Sequence, residues 1–362
     1  HGNTGTFRTT LAGATRAART PSLQDPEAYV MPMPAERDGA PALPIGAGTG
    51  LATVAADGSP LDIWFPEPSL CADAPTLGSR PVSAQACAAE LGADYAALLG
   101  EDPLRGVRRV PIRVTIELAA APADFYDLFL RLHLLSHRAI APRQANLDGF
   151  LALLNHDVAW TSLGPCPAGE LERIRLRAQA RGLFLSVKSV FGAPPMLDYV
   201  RPAGVRIADA SRVFLGAHLA AGTMVTPEGF CGVNAGTLGP CMVEGRISAG
   251  VTVGAGSHVG GGASIMGTIS GGNREVVSIG ERCLLGANAG TGISLGEGCV
   301  VEAGCYVTAG VPVRLEDGRT VKARELAGRA HLLFRRHAAS GCLEALERRT
   351  DWGGLHPDLH GY

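Results

Sequence analysis

Between Ile247 and Ile265 the chain reads ISAGVTVGAGSHVGGGASI, with bulky aliphatics at Ile247, Val253, Val259 and Ile265. Each lies six residues after the last, and a smaller residue (Val251, Ser257, Ala263) stands four places after each of the first three. A helix repeats about every 3.6 residues and a half-buried strand every two, so neither explains this beat. A hexapeptide repeat does: each six-residue side of a parallel β-helix turns one aliphatic inward, and glycine eases the corners. A flexible Gly-rich linker would not hold aliphatics in register.

The beat extends both ways with interruptions. Ile207 and Val213 give an earlier step of six, after which the phase slips by two before Leu215, as at a loop or bent corner. Regular coils run from Ile247 to about Ile269. The polar stretch SGGNREVVS (270–278) leaves the coil as a hairpin or lid, and the beat resumes at Ile279, Leu285, Leu295, Val301 and Val307. Beyond them, VRLEDGRTVKARELAGRAHLLFRRHAASGCLEALER predicts a turn, an edge strand and at least one short helix, capping the open end of the repeat.

Upstream the periodicity changes. LATVAADGSPLDIWFPEP reads as a hairpin, Leu51–Ala55 and Leu61–Phe65 joined through Asp57-Gly58. VRRVPIRVTIEL (107–118) alternates as a strand. The segment 124–142 reads as a helix with Leu128, Leu132 and Leu135 on one stripe and Pro142 beyond its end. His133 and His137 lie four apart there, but no HExxH glutamate accompanies them, so surface or interface histidines are expected rather than a metal pair. Further helices are expected within Asn146–Trp160 and over Leu171–Ala180, then a strand over 183–191. The predicted fold is mainly β: a left-handed parallel β-helix over 199–315, preceded by an α/β domain at 46–198 and followed by a small cap at 316–362. Residues 1–45 lack periodicity and read as a tail; their Arg and Thr and shortage of acids give only a faint transit-peptide signal.

Composition narrows the function classes. With 362 residues, 46% of them hydrophobic, 18% charged and a formal net charge of -2, this is neither a disordered nor a nucleic-acid-binding chain. No apolar run approaches the ~18 residues of a membrane helix. Forty-eight glycines with only 5% aromatics suit a stacked coil. Nine cysteines, none in a CxxC pair, argue for a reduced, cytoplasmic setting; Cys283, Cys299 and Cys305 fall at the small inward position. His218 and His258 stand alone in the coils, so no zinc or other metal site is expected.

Longer blocks carry a resemblance. VNAGTLG (233–239), MVEGRISAGV (242–251), GGGASIMGT (260–268), RCLLGANAG (282–290), VVEAGCYVTAG (300–310) and VKARELAG (321–328) are similar to tetrahydrodipicolinate N-succinyltransferases of the actinobacterial type, as are LRLHLLSHR (130–138) and the opening at 50–66. The resemblance covers residues 46–362. It implies an acyltransferase of lysine and diaminopimelate biosynthesis that works as a homotrimer on small molecules, with no membrane or nucleic-acid partner. Succinyl-CoA is then a co-substrate and no cofactor is permanently bound. The alternatives are a hexapeptide acyltransferase using acetyl-CoA or another amine acceptor, and a non-catalytic β-helix binding protein.

The same resemblance nominates a site. Glu228, in PEGF, matches the catalytic glutamate, as general base or as a nucleophile forming an acyl-anhydride; Pro227 replaces the histidine of the family pattern, which removes any positioning role for that residue. Arg246 is the candidate carboxylate clamp, or else a structural partner of Glu244. Gly245, Ser248, Gly271, Gly286 and Ala287 match positions lining the acyl-CoA cleft, and glycine there reads equally as corner geometry. Asn234 contacts substrate or forms part of an internal ladder. Lys322 and Arg324 fall where the nucleotide phosphates of CoA would lie, with Arg335 and Arg336 extending the basic cluster or forming a solvated face.

Overall fold

The computed structural model describes residues 45–72, 76–268, 275–348, 350 and 352–355. Residues 1–44 of the predicted tail, and with them any transit signal, lie outside the described ones; Ile45 already belongs to the first strand. Residues 206–307 wind through three parallel ladders visited in turn. The first contains Ile207, Val225, Val243, Val259, Leu285 and Val301. The second contains Cys231, Ile247, Ile265, Thr291 and Val307. The third contains Leu219, Thr237, Val253 and Ile279. Ile247, Val253 and Val259 therefore sit on three different faces, all buried, and their six-residue beat is one side of the coil each time. Stacked inward side chains give each turn its core, each worth about 1.5–3 kcal/mol on burial.

The phase breaks elsewhere than the slip expected before Leu215. From Ile207 the step of six runs through Val213, Leu219, Val225, Cys231 and Thr237 to Val243. Cys231 and Thr237 hide it, because a thiol and a hydroxyl occupy inward places that an aliphatic pattern would mark. The Thr237 hydroxyl stays in the core by pairing with that of Thr223 at 2.7 Å. The true break is the step of four from Val243 to Ile247, and a second such step runs from Thr291 to Leu295. Thr268 and Val276 form an antiparallel bridge at the base of the polar excursion, whose residues 269–274 lie outside the described ones.

The upstream part is built on an antiparallel sheet. β1 (Ile45–Ala55) pairs with β2 (Pro60–Trp64) around the expected Asp57-Gly58 turn, and with β3 (Val107–Glu117) on its other side. α1 (Phe125–Ser136), capped by Asp124, covers one face with Leu128, Leu132 and Leu135 buried. It stops at His137, short of the expected 142, because Arg138 turns to φ 62. A buried ion pair, Arg131 Nε to Asp127 Oδ1 at 2.7 Å, lets the guanidinium bind the carbonyls of Glu117, Leu118 and Asn146 and so tie helix to sheet. Against the expectation of a surface or interface residue, His133 is a core residue at 0% exposure, and burial holds its pKa down at about 3.

The other sheet face meets a small sheet of β4 (Val158–Thr161), β5 (Gly164–Pro167) and β6 (Val187–Val190), with α2 (Leu171–Gln179) between the last two. Trp160 is thus in a strand, and the helix expected around it is only the turn Phe150–Leu153. Ser136 Oγ donates to Ala217 O and accepts from Gly216 N, and the amide of Arg143 donates to Asn234 Oδ1 at 2.8 Å; both fasten α1 and its following loop to the coil. At the far end, the strand Leu332–Arg336 joins the first ladder beside Val300–Val301 and pairs with Leu343–Glu347. Among the described residues the cap has only a 3₁₀ turn, Ala323–Leu326, where a helix was expected.

Candidate active site

Most of the nominated residues gather on the second face and its two edges. Its first edge is a column of corners joining first ladder to second: Pro227–Glu228, then Glu244–Gly245, Gly260–Gly262, Gly286–Ala287 and Glu302–Gly304. Four of these corners carry five residues between inward positions; the one between Val243 and Ile247 carries three. The bare backbone here is a packing demand. A Cβ at Gly229 would overlap Val243 O, one at Gly245 would overlap Ala263 O, and one at Gly286 would stand 2.6 Å from Ala303 N. Corner geometry therefore accounts for Gly245, which is buried, and for Gly286, which is half-buried.

Two carboxylates meet on this column. A Cβ placed at Gly261 would lie 4.0 Å from Glu228 Oε2 and 3.7 Å from Glu244 Oε2. Glu228 is exposed; its carbonyl accepts from Arg212 Nη2 at 2.8 Å, which fixes the turn while leaving the carboxylate to solvent. Glu244 is half-buried and faces His258 Nε2 at 3.6 Å, just beyond hydrogen-bond length. That nitrogen is shielded and otherwise unpartnered, and the ring lies 6.3 Å from that of Trp352. The ladder register explains the contact: His258 occupies the register place of Met242, two residues before Glu244, one turn along. The sequence offered Glu244 only as a partner for Arg246 and His258 only as a lone histidine, because residues fourteen apart become neighbours only once the ladder register is known.

On the face itself Phe230, Arg246, Ser264, Gly290 and Tyr306 follow one another outward. Arg246 does not bridge to Glu244; its Nε and Nη2 donate to Ser264 Oγ at 3.0 and 2.7 Å, leaving an exposed guanidinium with donors to spare. Ser248 donates to Ile265 O at 2.6 Å at the far edge. On that edge Asn234 is 2% exposed at φ 57, its Oδ1 held by Arg143, so it is a corner residue with its acceptor already engaged. Ala287 is exposed on the corner column. Gly271 lies outside the described residues.

The basic residues lie at the capped end. The amide and Nε of Arg324 donate to Ala309 O, one corner from the last strand of the second face, and Lys322 is exposed beside it. Arg335 pairs with Glu344 at 2.7 Å, and Arg336 Nη1 donates to Gly341 O, so these two belong to the cap's own packing. The arrangement thus puts two carboxylates and an arginine toward one end of the second face, and two cations at its capped end on the opposite edge from the corner column. It suits proton transfer to or from a polar acceptor beside an elongated anionic ligand.

Known proteins share this organisation. A profile described as "Tetrahydrodipicolinate N-succinyltransferase middle" matches residues 156–190, and one described as "Hexapeptide repeat of succinyl-transferase" matches 276–309. The 2,3,4,5-tetrahydropyridine-2,6-dicarboxylate N-succinyltransferase of Vibrio cholerae is 45% identical over 336 residues, 86% of this chain and 97% of the relative. The protein of the same name from Pseudomonas aeruginosa is 52% identical over 236 residues, 64% of this chain and 68% of the relative. A crystal structure of a Campylobacter jejuni protein, titled a putative 2,3,4,5-tetrahydropyridine-2-carboxylate N-succinyltransferase, superposes with a TM-score of 0.72 at 28% identity, covering 84% of this chain and 93% of that one.

Proposed function

This chain belongs to the 2,3,4,5-tetrahydropyridine-2,6-dicarboxylate N-succinyltransferases, and on that premise we propose that it transfers the succinyl group of succinyl-CoA to tetrahydrodipicolinate, giving N-succinyl-2-amino-6-oxopimelate and CoA in lysine and diaminopimelate biosynthesis. The carrying observation is 45% identity across nearly the whole length of a relative so named. The reaction needs water to add to the ring imine, a base to take the proton of the resulting amine as it attacks the thioester, and cations for the carboxylates. Glu228 is the proposed catalytic carboxylate. Arg246 holds a substrate carboxylate, with Asn234 beside the acceptor. Gly245, Ser248, Gly271, Gly286 and Ala287 line the acyl-CoA path, and Lys322 and Arg324 receive its phosphates.

A second assignment of the base rests on one contact. Among the described residues Glu244 has what Glu228 lacks, a neighbouring histidine to orient it, and it is the less exposed of the two. In this reading Glu244 moves the proton and Glu228 helps to place the amine. The wider proposal has a left-handed coil at 199–315, an N-terminal α/β domain at 46–198, a cap at 316–362, homotrimers whose clefts complete the site, and a cytoplasmic location. Thiol release with tetrahydrodipicolinate and succinyl-CoA tests the reaction. Equal or faster turnover with acetyl-CoA would replace succinyl as the transferred group, and no thiol release with either donor would remove the activity.

A further inference from the structure

The sheet that packs α1 on one side carries separate chemistry on the other. Register places Asp62 opposite Thr53 and Thr53 opposite Arg109, one row across β2, β1 and β3, so the three side chains emerge on the same face. Trp64 stands two residues on from Asp62, on that face too. The small sheet roofs this row with Trp160 and Lys188, and Tyr199 closes one side. They line a half-open cavity of about 320 Å³, at the lower end of the range for small-molecule sites.

The charged groups inside are not equivalent. Asp62 is satisfied: Tyr199 Oη donates to it at 2.5 Å and the Thr53 amide at 3.2 Å, and burial pushes its carboxyl toward the neutral form. Lys188 is taken by Asp198 at 2.6 Å. Arg109 is partly buried, yet among the described residues its guanidinium has no hydrogen-bond or ion-pair partner. Nearby, the buried Nε1 of Trp64 also has none. Trp160 spends its own N–H on Phe191 O at 2.7 Å and is only 2% exposed, so it backs the cavity as a packed core residue and offers it no donor. A sheltered fork-shaped cation among aromatic walls, with the acids on hand already engaged, is built for a carboxylate on a flat apolar body.

We propose that this cavity binds a small planar ring carboxylate, its carboxylate on Arg109 and its ring against Trp64, at a site separate from the coil column. The inference stands on elements the acyl-transfer reading does not use. Two of the chain's three tryptophans line the cavity, so Trp352→Phe leaves fluorescence that reports it alone. The full chain carrying that change is titrated with benzoate, with neutral benzamide and with flexible hexanoate. Saturable quenching by benzoate is expected, with both other probes about tenfold weaker or worse. Arg109→Gln should weaken benzoate about tenfold or more, and Arg109→Lys, which keeps the charge without the fork, less than that. No saturable change with benzoate, equal binding of benzamide, or full affinity in a folded Arg109→Gln chain would each overturn the proposal.

Discussion

Two adjacent corners of the same column differ by two residues. At Val225–Cys231 the chain makes a full corner, and Glu228 rides outward on it into solvent. At Val243–Ile247 the corner is cut short; Glu244 and Gly245 both donate their amides to Val259 O, and the carboxylate is left beside His258. The same residue type, one turn apart, thus receives two environments from a change in loop length. What distinguishes a candidate acid–base group here is how little chain surrounds it.

The comparison is broken most forcefully through its glycines. Gly229→Ala and Gly245→Ala would each press a methyl into a backbone oxygen of the next turn, and each should cost roughly 3 kcal/mol or more by chemical denaturation. Unchanged stability in either would mean that the corner relaxes. Next come the carboxylates. If Glu228 is the base, Glu228→Gln loses at least ~100-fold in kcat while Glu244→Gln loses less, and the reverse order supports the short corner; near-normal rates in both would remove the column from the chemistry.

A core histidine sets the pH range over which these rates can be compared. His133 is held near pKa 3 in the fold against 6.5 when free, so the unfolded chain takes up a proton first. Its stability penalty is absent above about pH 6.5 and grows as pH falls toward 3, reaching about 2 kcal/mol at pH 5. His133→Asn should flatten that part of the acid unfolding curve, and an unchanged slope would place the effect elsewhere. The smallest expected effect is at His258→Asn: about tenfold in kcat if the imidazole orients Glu244, and none if Glu228 acts alone.

Much of the coil was legible because inward positions recur and each wants an aliphatic. The reading took Leu215 for the next beat although Leu219 and Val225 continue the step of six, and Cys231 and Thr237 then hid the inward places that lead to the short corner. Glu228, Arg246 and the corner glycines were reachable by resemblance. The Glu244–His258 contact was not, since it depends on register between turns. Upstream, the long strands and α1 followed their patterns, but Ala84–Leu91 was passed over although Ser83 precedes it and caps it by accepting from Ala86 N. The row Asp62–Thr53–Arg109 joins residues from three strands, and no local pattern announces it.

The corner column also has a length. Neighbouring parallel strands stand about 4.8 Å apart, so the four steps from the Glu228 corner to that of Ala303 amount to about 19 Å. Any ligand lying along the column is therefore measured in whole turns. Removing one turn would bring the two ends about 4.8 Å closer while leaving the residues of each untouched. The repeat count is then a gauge for the ligand's extended length, adjustable only in steps.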